Sequence, residues 1–143
     1  PAGAAAPAAV PAATAHAPTP IPGTQETLSW PVTGDVVSHF TSATRGIDIS
    51  SRRGTAVKAA ANGEVLLTST AFKGYGNLVI LRHGDGTFVT TYGQLQTINV
   101  KKGEHVKAGQ KIGTVGGFDA SKPVLHFEVR IGGKPVDPSP YLR

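Results

Sequence analysis

Val124-Leu125-His126-Phe127-Glu128-Val129-Arg130 alternates with a period of two. Residues i and i+2 of a strand point to the same face. Leu125, Phe127 and Val129 therefore make an apolar side that belongs on a core, and Val124, His126 and Glu128 share the other side. The run predicts a long, half-buried final strand over 125–131, ended by Gly132-Gly133. A lone His on such a strand is ordinarily a hydrogen-bonded structural residue.

Upstream, the same kind of segment recurs between glycine-rich turns. Residues 36–40 are a first strand candidate. Residues 57–60 and 64–69 flank Asn62-Gly63, a two-residue hairpin signal, and 77–82 and 87–92 flank Asp85-Gly86 in the same way. These segments are rich in Val, Ile, Leu and Thr, as strands prefer. Residues 100–112 are punctuated by glycines, 112–115 read as a short strand, and the proline-rich tail 135–142 is expected to lie along the sheet as extended chain. No window of helical length keeps a 3.6-residue period. The expectation is a mostly β, antiparallel, hairpin-rich fold with little helix.

The N-terminus is different in kind. Residues 1–20 contain ten Ala and five Pro, and the first charged residue is Glu26. An interior proline costs a helix about 3 kcal/mol, and Pro7, Pro11, Pro18, Pro20 and Pro22 interrupt any helical reading. Residues 1–27 are expected to be a disordered linker, trimmed by limited proteolysis, and 28–143 a single domain. A linker at the start of a chain that opens on Pro1 suggests a further domain upstream. The formal charge is +5 and there is no Cys, which excludes disulfides and thiolate metal sites. The basic residues are scattered and aromatics are few, which argues against nucleic acid. No apolar run reaches membrane-spanning length.

Several motifs occur in order along the domain: Trp30-Pro-Val32, Arg45-Gly-Ile-Asp-Ile49, Gly63-Glu-Val65, Gly74-Tyr-Gly-Asn77, His83-Gly-Asp-Gly86, Gly109-Gln-Lys-Ile-Gly113, Leu125-His-Phe-Glu-Val129 and 138–142. Together they resemble the LytM-type domain of the M23 zinc endopeptidases, which cleave peptidoglycan cross-bridges. The resemblance implies that Asp48 and His126 stand at two zinc-ligand positions. Thr44 stands where a third ligand, a histidine, belongs. Gln94 and Val124 stand where the two catalytic histidines belong. Three replacements in five leave a poor zinc site and no acid–base pair, since a zinc enzyme needs three protein ligands and an open position. Asp48 and His126 are then expected to hydrogen-bond to each other or to a neighbour, and no cofactor or metal is expected.

The resemblance further narrows to the catalytically degenerate LytM modules of bacterial division factors. It implies a pseudoenzyme that binds and activates cell-wall hydrolases, typically N-acetylmuramoyl-L-alanine amidases, at the division site in the periplasm or cell envelope of a Gram-negative bacterium. The expected partner-binding groove comprises Thr44, Arg45, Asp48, Tyr75, Asn77, Tyr92, Gln94, Val124 and His126. A peptidoglycan-binding module without a hydrolase partner, or a residually active zinc endopeptidase, are the alternatives. His83 and His105 read as structural or turn residues, and His39 could line the groove. The 100–113 run resembles biotinyl and lipoyl carrier hairpins but lacks the acceptor lysine motif.

Overall fold

The computed structural model describes residues 18–21, 26–84, 86–117 and 121–142. Among the described residues, ten strands form one antiparallel sheet: β1 (Asp35–Ser38), β2 (Ile47–Ser50), β3 (Ala56–Lys58), β4 (Gly63–Phe72), β5 (Gly76–His83), β6 (Phe88–Ile98), β7 (His105–Val106), β8 (Lys111–Val115), β9 (Val124–Ile131) and β10 (Lys134–Val136). The main path runs β1-β2-β9-β6-β5-β4-β7, with β10 beside β9, and the β3–β8 pair attached to the far end of β6. One 3-10 turn, Ser139–Tyr141, follows β10. No helix among the described residues is long and apolar enough to cross a membrane. The fold class is as the alternation predicts.

The core lies on one face of the sheet. Ile47 and Ile49 of β2, Leu125, Phe127 and Val129 of β9, Phe88 and Tyr92 of β6, and Val79 and Leu81 of β5 form a continuous buried cluster. Val57 of β3 and Ile112 and Val115 of β8 close it from below. Burying a Leu or Phe side chain is worth roughly 1.5–3 kcal/mol, so this face holds the sheet together and sets the register of β9.

Several expectations need correcting. Asn62-Gly63 does not turn a hairpin. β3 pairs instead with β8, Ala56 opposite Thr114 and Val57 opposite Gly113, while β4 pairs with β5. The alanines at 59–61 are buried in the core, which draws the chain underneath rather than back on itself. The Asn62 side chain accepts a hydrogen bond from the Ala108 N–H at 2.8 Å, and its own carbonyl meets His83 Nδ1 at 2.7 Å. The unexpected hairpin is β4–β5, turned by residues 73–75 with Phe72 opposite Gly76. The hairpin expected at 84–87 is present, with His83 opposite Phe88. The tail is partly a true strand: β10 pairs back onto β9 with Ile131 opposite Lys134.

The domain also begins before Leu28. Ile21 is 1% exposed and sits in the core cluster. The Thr19 N–H donates to the Pro140 carbonyl at 2.9 Å, and Leu28 bridges Leu142 in parallel. The alanine and proline composition hides this docking, because Ile21 is the one large apolar side chain among described residues 18–21. The rest of the expected linker, 1–17 and 22–25, lies outside the described residues.

Candidate functional site

His126 lies on the face of β9 opposite the core. Across the sheet it stands opposite Asp48 on one side and Gly93 on the other. Directly opposed residues share a face with their Cβ atoms about 4.5–5.5 Å apart, so the register alone brings Asp48 and His126 together. Gly93 makes room for a third group. A Cβ there would lie 3.0 Å from Cδ2 of Tyr75 and 3.6 Å from the His126 Cβ. With only hydrogen in that place, the Tyr75 ring packs edge-on to the imidazole, with centroids 5.5 Å apart and planes at 75°.

The polar groups of this floor are engaged with one another. His126 Nδ1 lies 2.7 Å from Asp48 Oδ1 and Nε2 lies 2.8 Å from Glu128 Oε2. Glu128 is 0% exposed. Its Oε2 also accepts from the Tyr75 hydroxyl, and its Oε1 accepts from Arg130 Nε at 3.0 Å. Burial alone would pull the His126 pKa down. The hydrogen bonds to Asp48 and Glu128, with the charges of both, outweigh it and raise the value from 6.5 to about 9. Burial likewise pushes Glu128 up, but hydrogen bonds from His126, Tyr75 and Arg130 bring it below the ordinary carboxylate range. At neutral pH the floor is thus an imidazolium between two carboxylates, with Arg130 as the second cation.

This predicts a pH profile for stability. A raised imidazole pKa contributes stability in full below about pH 6.5 and loses it as pH rises to about 9. Glu128 acts in the opposite sense, contributing above 4.5 and losing that contribution as pH falls through its depressed value. Urea unfolding should show stability falling between pH 6.5 and 9 by on the order of 2–3 kcal/mol. The His126→Gln variant should be nearly flat over that range. A wild-type profile equally flat would mean that the imidazolium is not held this way.

The other expected groove residues fall into three groups. Thr44, Arg45 and Gln94 border the floor. The Thr44 hydroxyl is turned into its own loop, accepting from the Thr41 N–H at 2.7 Å and lying 3.0–3.3 Å from the carbonyls of His39, Thr41 and Gly46. Arg45 (φ 62°) and Gln94 (φ 63°) are the two non-glycine residues with positive φ among those described. Such a conformation costs of order 1–3 kcal/mol and clusters at functional sites. Gln94 is the extra residue of a β-bulge, since Leu78 pairs with Gly93 and Asn77 with Leu95. Bulges re-aim side chains beside sites. Val124 is half-buried on the same face as His126 and Asp48, opposite Ser50.

Asn77 and Tyr92 do other work. The Asn77 amide donates to the carbonyls of Leu95 and Gln96 at 2.9 and 3.2 Å, bracing the bulge. Tyr92 is not in the groove. It stands opposite Phe127 and is fully buried in the core, its hydroxyl accepting from the Ala60 N–H at 3.0 Å. Strand parity excludes it, because a residue next to Gly93 must face the other way. Arg130 and Gly93 are site residues that the sequence reading did not single out. Arg130 could have been found by carrying the Val124, His126, Glu128 alternation one step further.

Of the positions that the LytM resemblance assigns to zinc, only Asp48 and His126 carry ordinary zinc-ligating side chains. The Thr44 hydroxyl is engaged within its loop. Both nitrogens of His126 face carboxylate oxygens. No group of three His, Cys, Asp or Glu side chains among the described residues is arranged to hold a metal.

The model of peptidase family M23 matches residues 42–138, which span the whole floor from the Thr44 loop to the end of β10. The chain belongs to peptidase family M23. It is 41% identical over 116 residues to the uncharacterized lipoprotein YgeR of Escherichia coli strain K12, covering 79% of this chain and 46% of that protein. It is 41% identical over 119 residues to the murein hydrolase activator NlpD of the same organism, covering 81% of this chain and 31% of NlpD. The chain therefore spans less than half the length of either relative. Its fold matches that of a zinc-containing peptidase from Vibrio cholerae with a TM-score of 0.72 and 29% identity, over 79% of this chain and 39% of the other. The M23 fold is shared with that zinc-containing peptidase.

Proposed function

We propose that this M23 domain is a catalytically inactive regulator that binds and activates peptidoglycan hydrolases, first among them N-acetylmuramoyl-L-alanine amidases. It acts in the periplasm or cell envelope during cell division and daughter-cell separation. The observation that carries this reading is the closed network of Asp48, His126, Glu128, Tyr75 and Arg130. The positions where the resemblance puts the catalytic histidines hold Gln94 and Val124, neither of which can take a proton from substrate or water near neutral pH, and His126 is held from both sides. What remains is a cleft with an apolar floor residue and bordering side chains, suited to a side-chain anchor from another protein. The murein hydrolase activator name of NlpD supports the same role.

Two measurements test this together. The purified chain is expected to carry far less than one zinc per molecule and to release no muropeptides from peptidoglycan. It is expected to stimulate dye release from labelled peptidoglycan by a purified amidase. One zinc per chain with released muropeptides would make it an endopeptidase. Pelleting with peptidoglycan sacculi and no stimulation of any amidase would make it a wall-binding module.

A further inference from the structure

The floor of the groove is electrically closed, and its border is not. Five exposed cations follow or precede groove residues in the chain. Arg45 sits between Thr44 and Gly46, and Lys73 is in the turn that presents Tyr75. Lys122 precedes Pro123, whose carbonyl accepts from the Ser51 N–H at 3.3 Å, and Arg52 and Arg53 follow Ser51. Arg53 Nε donates to the Gly116 carbonyl at 3.3 Å, and the next residue, Gly117, donates its N–H to the Gln94 carbonyl at 3.1 Å. The segments that carry the five therefore border the floor on its Gln94, Val124, Thr44 and Tyr75 sides. None of them is in an ion pair among the described residues. Asp35, opposite Ser50, is the one exposed carboxylate on that border among the described residues. Glu64, on the same sheet face, is at its far end and paired with Arg82.

The floor itself has little to offer a polar ligand, since Glu128, His126 and Arg130 bond to one another. What it does offer is apolar: Val124, the Tyr75 ring, and Phe72, which is 44% exposed and packs edge-on to Tyr75 at 5.7 Å. A sugar polymer needs donors and acceptors along its length. A peptide with one or two apolar side chains flanked by Asp or Glu needs only an apolar floor and a cationic border.

Resting on the proposed activator role, we infer that the groove takes an acidic segment of the partner hydrolase, with an apolar side chain over Val124 and Phe72 and carboxylates toward Arg45, Arg52, Arg53, Lys73 and Lys122. Exposed charges of this kind steer encounter and fix register. They also make binding depend on salt, because the Debye length falls from about 10 Å at 0.1 M toward about 3 Å at 1 M.

The test measures the concentration of chain that half-activates a purified amidase in dye release, at 0.05 and 0.3 M NaCl. The Arg53→Glu/Lys122→Glu variant should raise that concentration about tenfold or more at low salt, and less at high salt. Arg52→Glu/Lys73→Glu should do the same without touching the Gly116 contact, and thermal unfolding by circular dichroism controls for folding. Lys101→Glu/Lys102→Glu, in a turn away from the groove, should stay within about twofold. Sacculus pelleting should not change in any variant. If the wild type activates and both groove reversals activate equally well, the acidic-segment inference is overturned while the activator role stands. Reversals that abolish sacculus pelleting and spare activation overturn it in favour of a wall polymer. A wild type that activates no amidase overturns the activator role and this inference with it.

Discussion

Replacing Glu128 by alanine is expected to destabilise the domain by about 3–5 kcal/mol. The carboxylate is fully buried and bonded to His126, Tyr75 and Arg130. Its removal leaves an imidazolium with one remaining counter-charge, a guanidinium with none in the network, and a phenol without its acceptor. Breaking a buried pair from one side costs more than the pair contributes, because the surviving charge stays desolvated. Urea unfolding followed by circular dichroism should register the loss, with a fall in Tm of roughly 10 °C or more. Glu128→Gln should be milder, since an amide oxygen can still accept from Tyr75. A Glu128→Ala cost below about 1 kcal/mol, the range of an exposed pair, would show that the network contributes nothing of the kind.

The second large effect is on partner binding. Val124→Glu is expected to abolish amidase stimulation and leave the fold intact. Val124 is half-buried at the floor, on the side of the sheet away from the core, so a longer polar side chain can be accommodated in the free domain. In a complex, the new carboxylate would lie where an apolar anchor is to sit. Desolvating it without a partner costs several kcal/mol, which corresponds to a rise of about a hundredfold or more in the half-activating concentration. Val124→Ala, which removes volume without adding charge, should lose far less. Dye release with well-folded Val124→Glu at full wild-type stimulation would remove the groove from consideration as the interface.

Much of this site was legible in the sequence, and the reason is parity. Period-two alternation from Val124 to Arg130 orients each side chain of β9 relative to the core, so His126 and Glu128 had to share a face. The order of the motifs placed Asp48, Thr44 and Gln94 around that face through family resemblance, and the antiparallel, helix-poor architecture followed from strand composition and glycine punctuation. Asn62-Gly63 shows where local signals mislead. A dipeptide suited to a hairpin became a crossing point, because burying Ala59, Ala60 and Ala61 and pairing β3 with a distant strand outweighed turn preference.

By itself, then, the sequence determined the two faces of β9, and the family resemblance implied that Thr44, Gln94 and Val124 stand where histidines belong. Only the tertiary structure decided how the residues around those positions are bonded. That Tyr92 is core, that Ile21 is buried, that Gly93 admits the Tyr75 ring, and that Glu128 gathers His126, Tyr75 and Arg130 all depend on register between strands far apart in the chain. Register is a sum over many cross-strand contacts, and no single segment carries it. The protonation of His126 likewise follows from two carboxylates, one of them 78 residues away in the chain, whose distances only the folded sheet sets.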